Sequence, residues 1–193
     1  MRKEAYWLYA PCVISVLKYL VIMPRTPMQL RAKTRIRGNY ANLILKRLES
    51  EGFVKCLTYH ERIGKVFCIN PANTGRVEKI LKESGYNLKA RVLPELNWKA
   101  YGRLTCNSCK QLKKIFSKAV KLNSLGINIT EPNLEIELRD NGILEMNRSD
   151  IYRALRHLKR LGLIVSIKKK RKHMEYELTS EALAIAEFLR PLI

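Results

Sequence analysis

The fold is decided by two stretches, Ile44-Leu-Lys-Arg-Leu-Glu-Ser-Glu-Gly-Phe-Val54 and Ala154-Leu-Arg-His-Leu-Lys-Arg-Leu-Gly-Leu-Ile164. Each reads as the end of an amphipathic helix, a glycine, and the start of a strand. In the first, Ile44, Leu45 and Leu48 continue a stripe begun at Ala41, a spacing that places all four on one helix face. Gly52 then supplies a left-handed cap. Sliding the sequence by 110 residues lays one stretch on the other. Ile36 falls on Met146, Ala41 on Ile151, Ile44 on Ala154, Leu48 on Leu158, Gly52 on Gly162 and Val54 on Ile164. Agreement at every apolar position is the signature of a duplicated architecture.

Working outward, Pro11 to Met23 reads as a helix with Val13, Leu17 and Leu20 on one face, and Pro24 stops it. Thr26-Pro27 opens a short helix to about Lys33, with Thr as N-cap and Pro at the first helical position. Thr34 to Arg37 is a tight turn with Ile36 inward, and a third helix runs from Gly38-Asn39 to Glu51. Strand-like runs follow at Phe53–Tyr59 and Val66–Asn70, joined by His60-Glu-Arg-Ile-Gly-Lys65. Thr74–Lys82 is a closing helix. Residues 86–103, with Pro94 and little clear periodicity, read as a connection that is helical in part, and Trp98 and Tyr101 are expected against the second unit. The second half repeats the plan. Cys106–Leu125 is a helix with Leu112, Ile115, Phe116, Ala119 and Leu122 inward, and Pro132–Arg139 is a short helix opened by Thr130 or Glu131. Gly142 turns the chain. Asn147–Leu161 is the long third helix, and Leu163–Lys168 and Met174–Thr179 are strands flanking Lys169-Lys-Arg-Lys-His173. A last helix starts at Ser180 and ends near Arg190-Pro191. This gives two units, 1–85 and 104–193, in an α+β, predominantly helical chain.

Both halves resemble winged helix-turn-helix domains of MarR-like and ArsR-like transcriptional regulators. The matching text is Thr26-Pro-Met-Gln-Leu-Arg-Ala-Lys33, Ile36 and Leu45–Val54 in the first half, and Asn147-Arg-Ser-Asp-Ile-Tyr-Arg-Ala-Leu155 through Ile164 in the second. The resemblance implies tandem winged helix domains and a dimeric bacterial or archaeal regulator. Two units in one chain depart from the usual single unit.

Composition points the same way. Lys and Arg number 37 against 17 Asp and Glu, a net charge of +20, in a chain that is 47% hydrophobic. Such a chain has material for a core, and its charge calls for a polyanionic partner. No stretch approaches the roughly 18 apolar residues of a membrane span. Cys12 to Met23, the best candidate, is broken by Lys18. The basic start and apolar run lack a small-residue cleavage site, so a cytoplasmic protein rather than an exported one is expected.

A third helix that buries one stripe presents the other to a major groove. In the first unit the outward residues are Asn39, Tyr40, Asn42, Leu43, Lys46 and Arg47, preceded by Arg35 and Arg37. Asn pairs with adenine and Arg with guanine, while Tyr40 and the helix start suit phosphate. In the second they are Ser149, Asp150, Tyr152, Arg153, Arg156 and His157, preceded by Asn147 and Arg148. Glu131, Glu135, Glu137, Asp140, Glu145 and Asp150 crowd that region and would repel phosphate, so the first unit is expected to be the principal base reader. Arg62 and Lys65 mark the first hairpin. Lys168, Lys169, Lys170, Arg171 and Lys172, the densest cationic run, mark the second as a tip for phosphate or minor-groove contact. The plain alternative for all of these is a solvated surface.

Cys106-Asn-Ser-Cys109 is a lone CxxC. Zinc asks for four ligands, and His60, His157 and His173 lie far off in sequence, so a structural role is expected and no cofactor. Cys56 and Cys68 are expected to face each other across the first hairpin, as buried thiols or, in a hyperthermophile, as a disulfide. No phosphate-binding loop, nucleophile elbow or zinc-protease motif occurs, so no enzyme is expected. The function these features favour is a sequence-specific, double-stranded-DNA-binding transcriptional regulator, with homodimerisation implied by the resemblance alone. The alternatives are a winged-helix replication initiator of a plasmid or virus, and an RNA-binding module, the latter weakened by the lack of an RNP-like aromatic motif.

Overall fold

The computed structural model describes residues 3–189 apart from 38, 60, 62–63, 107–108, 141–142, 145 and 171–172, and at 3–5, 140, 143–144 and 168–170 it describes the backbone alone. The protein is α+β and mostly helical. It divides into two compact units, Met1–Gly102 and Arg103–Ile193.

In the first unit a 3-10 helix, Lys3–Tyr9, leads into α1 (Pro11–Ile22), α2 (Pro27–Thr34) and α3 (Tyr40–Ser50). Strands β1 (Val54–Cys56) and β2 (Phe67–Ile69) form an antiparallel hairpin, and α4 (Thr74–Glu83) closes the core. Sequence dictates the boundaries. Thr26 and Gln29 form a reciprocal capping box: the Thr26 hydroxyl accepts from the Gln29 N–H at 3.3 Å and Gln29 Oε1 accepts from the Thr26 N–H at 2.7 Å. Arg25 bridges β2 through paired bonds with Phe67, each 2.9 Å, adding a third extended segment to the hairpin. Ala41, Ile44, Leu45 and Leu48 of α3 are buried as their spacing requires, against Val13, Val16, Leu17 and Leu20 of α1 and Val77, Ile80 and Leu81 of α4. Burial of each large aliphatic side chain contributes roughly 1.5–3 kcal/mol.

The second unit begins inside α5 (Trp98–Thr105) and continues with α6 (Lys110–Ser124), β3 (Ile129–Thr130), α7 (Glu131–Glu137), the two-residue strands β4 (Arg139–Asp140) and β5 (Ile143–Leu144), and α8 (Arg148–Arg160). The long hairpin β6 (Ile164–Lys170) and β7 (His173–Leu178) and the helix α9 (Ser180–Leu189) complete it. Its sheet has the order β3-β7-β6. The expected α6 stripe of Leu112, Ile115, Phe116, Ala119 and Leu122 is buried.

The two units repeat one order: helix, short extended segment, helix, helix, hairpin, helix. The spacing is not constant. The N-caps Thr26 and Thr130, whose hydroxyls accept from Gln29 and Asn133, are 104 residues apart, whereas Gly52 and Gly162 are 110 apart. The six-residue difference lies between second and third helices, where β4 and β5 pair as Arg139↔Leu144 and Asp140↔Ile143. Downstream the units agree bond for bond. Gly52 and Gly162 are left-handed, at φ 78° and 72°. Their N–H groups bond to Glu49 and Lys159 carbonyls, and the next N–H groups, of Phe53 and Leu163, reach back to Leu48 and Leu158, closing a Schellman motif at each helix end. Asn70 and Thr179, at the end of each hairpin, donate side-chain bonds to the Gly52 and Gly162 carbonyls.

Several expectations are corrected. The first hairpin is shorter than expected, and its register pairs Lys55 with Cys68 and Cys56 with Phe67. Cys56 and Cys68 therefore lie on opposite faces of the ladder and are free thiols, because residues in successive pairs point to opposite sides. The second hairpin is longer than expected, its ladder running to Lys170↔His173. The pairing continues past a register shift between Ser166 and Lys168. Cys106 is not helical: its N–H bonds to the Arg103 carbonyl, its carbonyl accepts from Cys109, and α6 starts only at Lys110. Residues 86–102 belong to the first unit, where Ala90 N–H bonds to Glu78 Oε1 and Arg91 N–H to the Val21 carbonyl. Tyr101, expected against the second unit, has its hydroxyl between first-unit groups. It donates to the Pro24 carbonyl at 2.9 Å and accepts from Gln29 Nε2 at 3.3 Å, while its ring meets Trp98 edge to face. The expected turn at Gly142 and the expected end of the last helix at Arg190-Pro191 lie outside the described residues.

Candidate nucleic-acid interface

The third helix of each unit buries one stripe and exposes the opposite one. On α3, Asn39, Asn42, Leu43 and Lys46 stand one turn apart along the exposed stripe. The side chains of Asn42 and Lys46 form no hydrogen bond or ion pair among the described residues, and Asn39, although it precedes the helix, makes no side-chain cap bond. Leu43 is 59% exposed. Arg35 and Arg37 are exposed in the turn before the helix, and Arg35 takes the left-handed conformation that ends α2.

Two expected residues sit differently. The Arg47 guanidinium lies 4.0 Å from the centre of the Trp7 ring, and its Nε is 3.2 Å from Glu51 Oε1. A cation held over an indole and paired with a carboxylate is anchored to its own unit. Tyr40 is exposed but leans toward α1, where the Cys12 thiol donates to its hydroxyl at 4.0 Å. Trp7, 40 residues upstream, gave no local signal of this arrangement. Lys65 is exposed in the first hairpin, 5.7 Å from the centre of the exposed Tyr59 ring, and Arg62 lies outside the described residues.

On α8, Ser149, Tyr152, Arg153 and Arg156 form the exposed stripe. Asn147 is the N-cap: its Oδ1 accepts from the Asp150 N–H at 2.8 Å, so that oxygen serves the helix. Three of the six acidic residues flagged in the sequence, Glu135, Glu137 and Asp150, are matched by bases; the Asp140 side chain and Glu145 lie outside the described residues. Arg148 Nε lies 2.8 Å from Glu135 Oε1, and Arg153 lies 3.4 Å from Asp150, which also accepts from Gln111. Glu137 is clamped by Lys121 at 2.8 Å and Lys118 at 3.7 Å, and the Lys121 hydrogen bond holds its carboxyl below the usual carboxylate range. His157 is half-buried; burial, with Arg103 and Arg160 nearby, pulls its imidazole below the ordinary histidine value. The backbones of Lys168, Lys169 and Lys170 belong to β6, while Arg171 and Lys172 lie outside the described residues. Lys159 was missed: its Nζ donates to Ser166 Oγ at 2.7 Å, tying α8 to β6.

No family model, curated protein or solved structure matches this chain. Its function has to be sought in the chemistry of its surfaces. Positive charge is spread over both units, with 19 Lys and Arg against 7 Asp and Glu in the first and 18 against 10 in the second. Among the described residues, no group of three His, Cys, Asp or Glu is placed to hold a metal ion, and no helix is long and apolar enough to cross a membrane.

Proposed function

We propose that this chain is a tandem winged helix-turn-helix protein that binds double-stranded DNA and regulates transcription by occupying a promoter or operator. One observation carries the reading. Each unit places a polar, cationic helix stripe opposite a fully buried one, and follows it with a hairpin bound to the same helix end. A helix of that kind fits the major groove with its apolar side still in the core. The net charge of +20 supplies the sequence-independent affinity. The two units are not equivalent. On α3 the stripe is unencumbered, so α3 reads bases. On α8, Arg148 and Arg153 are engaged with carboxylates, so the second unit contributes chiefly phosphate contacts, with the 168–172 run at its hairpin. The Arg148 side chain is 82% exposed even though its partner Glu135 is 12% exposed, so a phosphate can compete for the guanidinium.

Fluorescence anisotropy with a labelled duplex, titrated at several salt concentrations, tests this. Binding should weaken steeply with salt. Changing all five residues at 168–172 to Gln should flatten the slope of log K against log salt by roughly 0.9 for each phosphate that is no longer neutralised. Failure to bind duplex at low salt, or tighter binding to structured RNA at matched salt, would refute the reading. A replication initiator is the second reading, favoured by two dissimilar units in one chain, which suit non-palindromic repeats. Footprints on direct origin repeats rather than on a promoter site would select it.

A further inference from the structure

We infer that the first unit is selective for A·T base pairs, read by Asn42 and Leu43 of α3; this rests on the duplex-DNA reading above. The exposed stripe of α3 is two carboxamides, one aliphatic side chain and one ammonium. Guanine presents two acceptors in the major groove and is read by Arg or Lys; the unengaged cation of this stripe, Lys46, stands a turn beyond Asn42 and Leu43, and its compact ammonium suits phosphate. The one guanidinium on this helix, Arg47, is held over Trp7 and paired with Glu51, while Arg35 and Arg37 precede the helix and suit phosphate. Adenine presents one acceptor and one donor, which a carboxamide matches with its own donor and acceptor, and Asn42 has both unengaged. Beside it stands Leu43, 59% exposed on an otherwise polar stripe. An aliphatic group there gains by covering the thymine methyl, the apolar feature peculiar to A·T pairs in this groove.

Charge selects this occupant over a second copy of the chain. A two-fold contact through this face would set the cationic face of Arg35, Arg37 and Lys46 against an identical cationic face. The second unit lacks the pair: 110 residues on, Asn42 and Leu43 are replaced by Tyr152 and Arg153, the latter beside Asp150. The selectivity is therefore a property of the first unit.

The test uses the full chain bound to a labelled mixed-sequence duplex and displaced by alternating poly(dA-dT), poly(dG-dC) or poly(dA-dU). Poly(dA-dT) should displace about tenfold better per base pair than poly(dG-dC), the worth of one good bidentate contact. The uracil polymer, which lacks the methyl, should fall several-fold short of the thymine one. Asn42→Ala should cut the A·T to G·C ratio to the several-fold share left by the methyl contact of Leu43. Leu43→Ser should abolish the thymine–uracil difference. Both residues are exposed, so both variants should fold, which an unchanged tryptophan-fluorescence melt of the first unit checks. Equal displacement by all polymers, or a G·C preference, would overturn the inference and leave duplex binding standing. An A·T preference that survives both substitutions would also overturn it, assigning the preference to minor-groove shape. A chain that binds no duplex loses the parent reading and this one together.

Discussion

Adding a single methyl group at Gly102 should destabilise the first unit, although Gly102 lies in a helix where alanine is normally the better residue. In an open helix the change gains about 1 kcal/mol. Here a Cβ on Gly102 would stand 2.0 Å from the Gly64 carbonyl oxygen and 3.0 Å from Val66 Cγ2, in the loop and strand approach of the first hairpin. Ordinary contact starts at 3.4 Å, so α5 must withdraw by about 1.4 Å, and the obstacle is backbone rather than a side chain that can swing aside. The same helix is fastened nearby by the Lys99–Glu61 pair at 2.9 Å and by the Tyr101 hydroxyl on Pro24. Overpacking costs roughly 1–3 kcal/mol, and a rigid obstacle belongs at the upper end. A net loss of about 2 kcal/mol lowers the midpoint of a domain this size by roughly 8–16 °C. Trp7 and Trp98, the two tryptophans, both lie in the first unit, so a fluorescence melt reports on it selectively. Gly75→Ala in α4, where nothing lies within 4 Å, is the control and should be neutral or stabilising by about 0.5–1 kcal/mol. Gly102→Ala melting at or above the parent would refute the close approach of α5 to the hairpin.

Two further outcomes follow from the site and the core. His157 has its folded value pulled below 6.5, so the unfolded chain takes up the proton first, and the second unit should lose stability as pH falls through 6.5. Hydrogen exchange of α8 amides at pH 7.5 and 5.5 measures this, and a His157→Gln variant with an undiminished pH effect would refute the assignment. Burial pushes the Cys68 thiol up to about 11, and Cys56 is buried on the other face of the ladder. Both should resist a thiol reagent at pH 8 until urea unfolds the unit, and mild oxidation should not join them; a native Cys56–Cys68 crosslink would contradict the register.

Much of the fold was legible because it is written at helical spacing. The buried stripes of α3, α6 and α8 are the apolar positions of the sequence, and the caps at Thr26, Thr130, Gly52 and Gly162 stand where chain chemistry requires them. What was not legible depends on partners distant in sequence. Nothing near Arg47 announces Trp7, and nothing near Arg148 announces Glu135 thirteen residues back. Strand register was misjudged at Cys56 and Cys68 because a three-residue ladder offers too few side chains to fix it. Residues 86–97 carry little periodicity, and their place on the first unit comes from isolated bonds to Val21 and Glu78.

The bond-for-bond agreement at Gly52 and Gly162 sets where divergence can enter. Helix end and hairpin root are joined by corresponding hydrogen bonds in each half, so drift there would break several bonds at once. The stretch upstream differs by six residues and still closes its own small ladder. The two units can thus differ in surface side chains and in that upstream spacer, while the joint that holds each third helix to its hairpin stays the same.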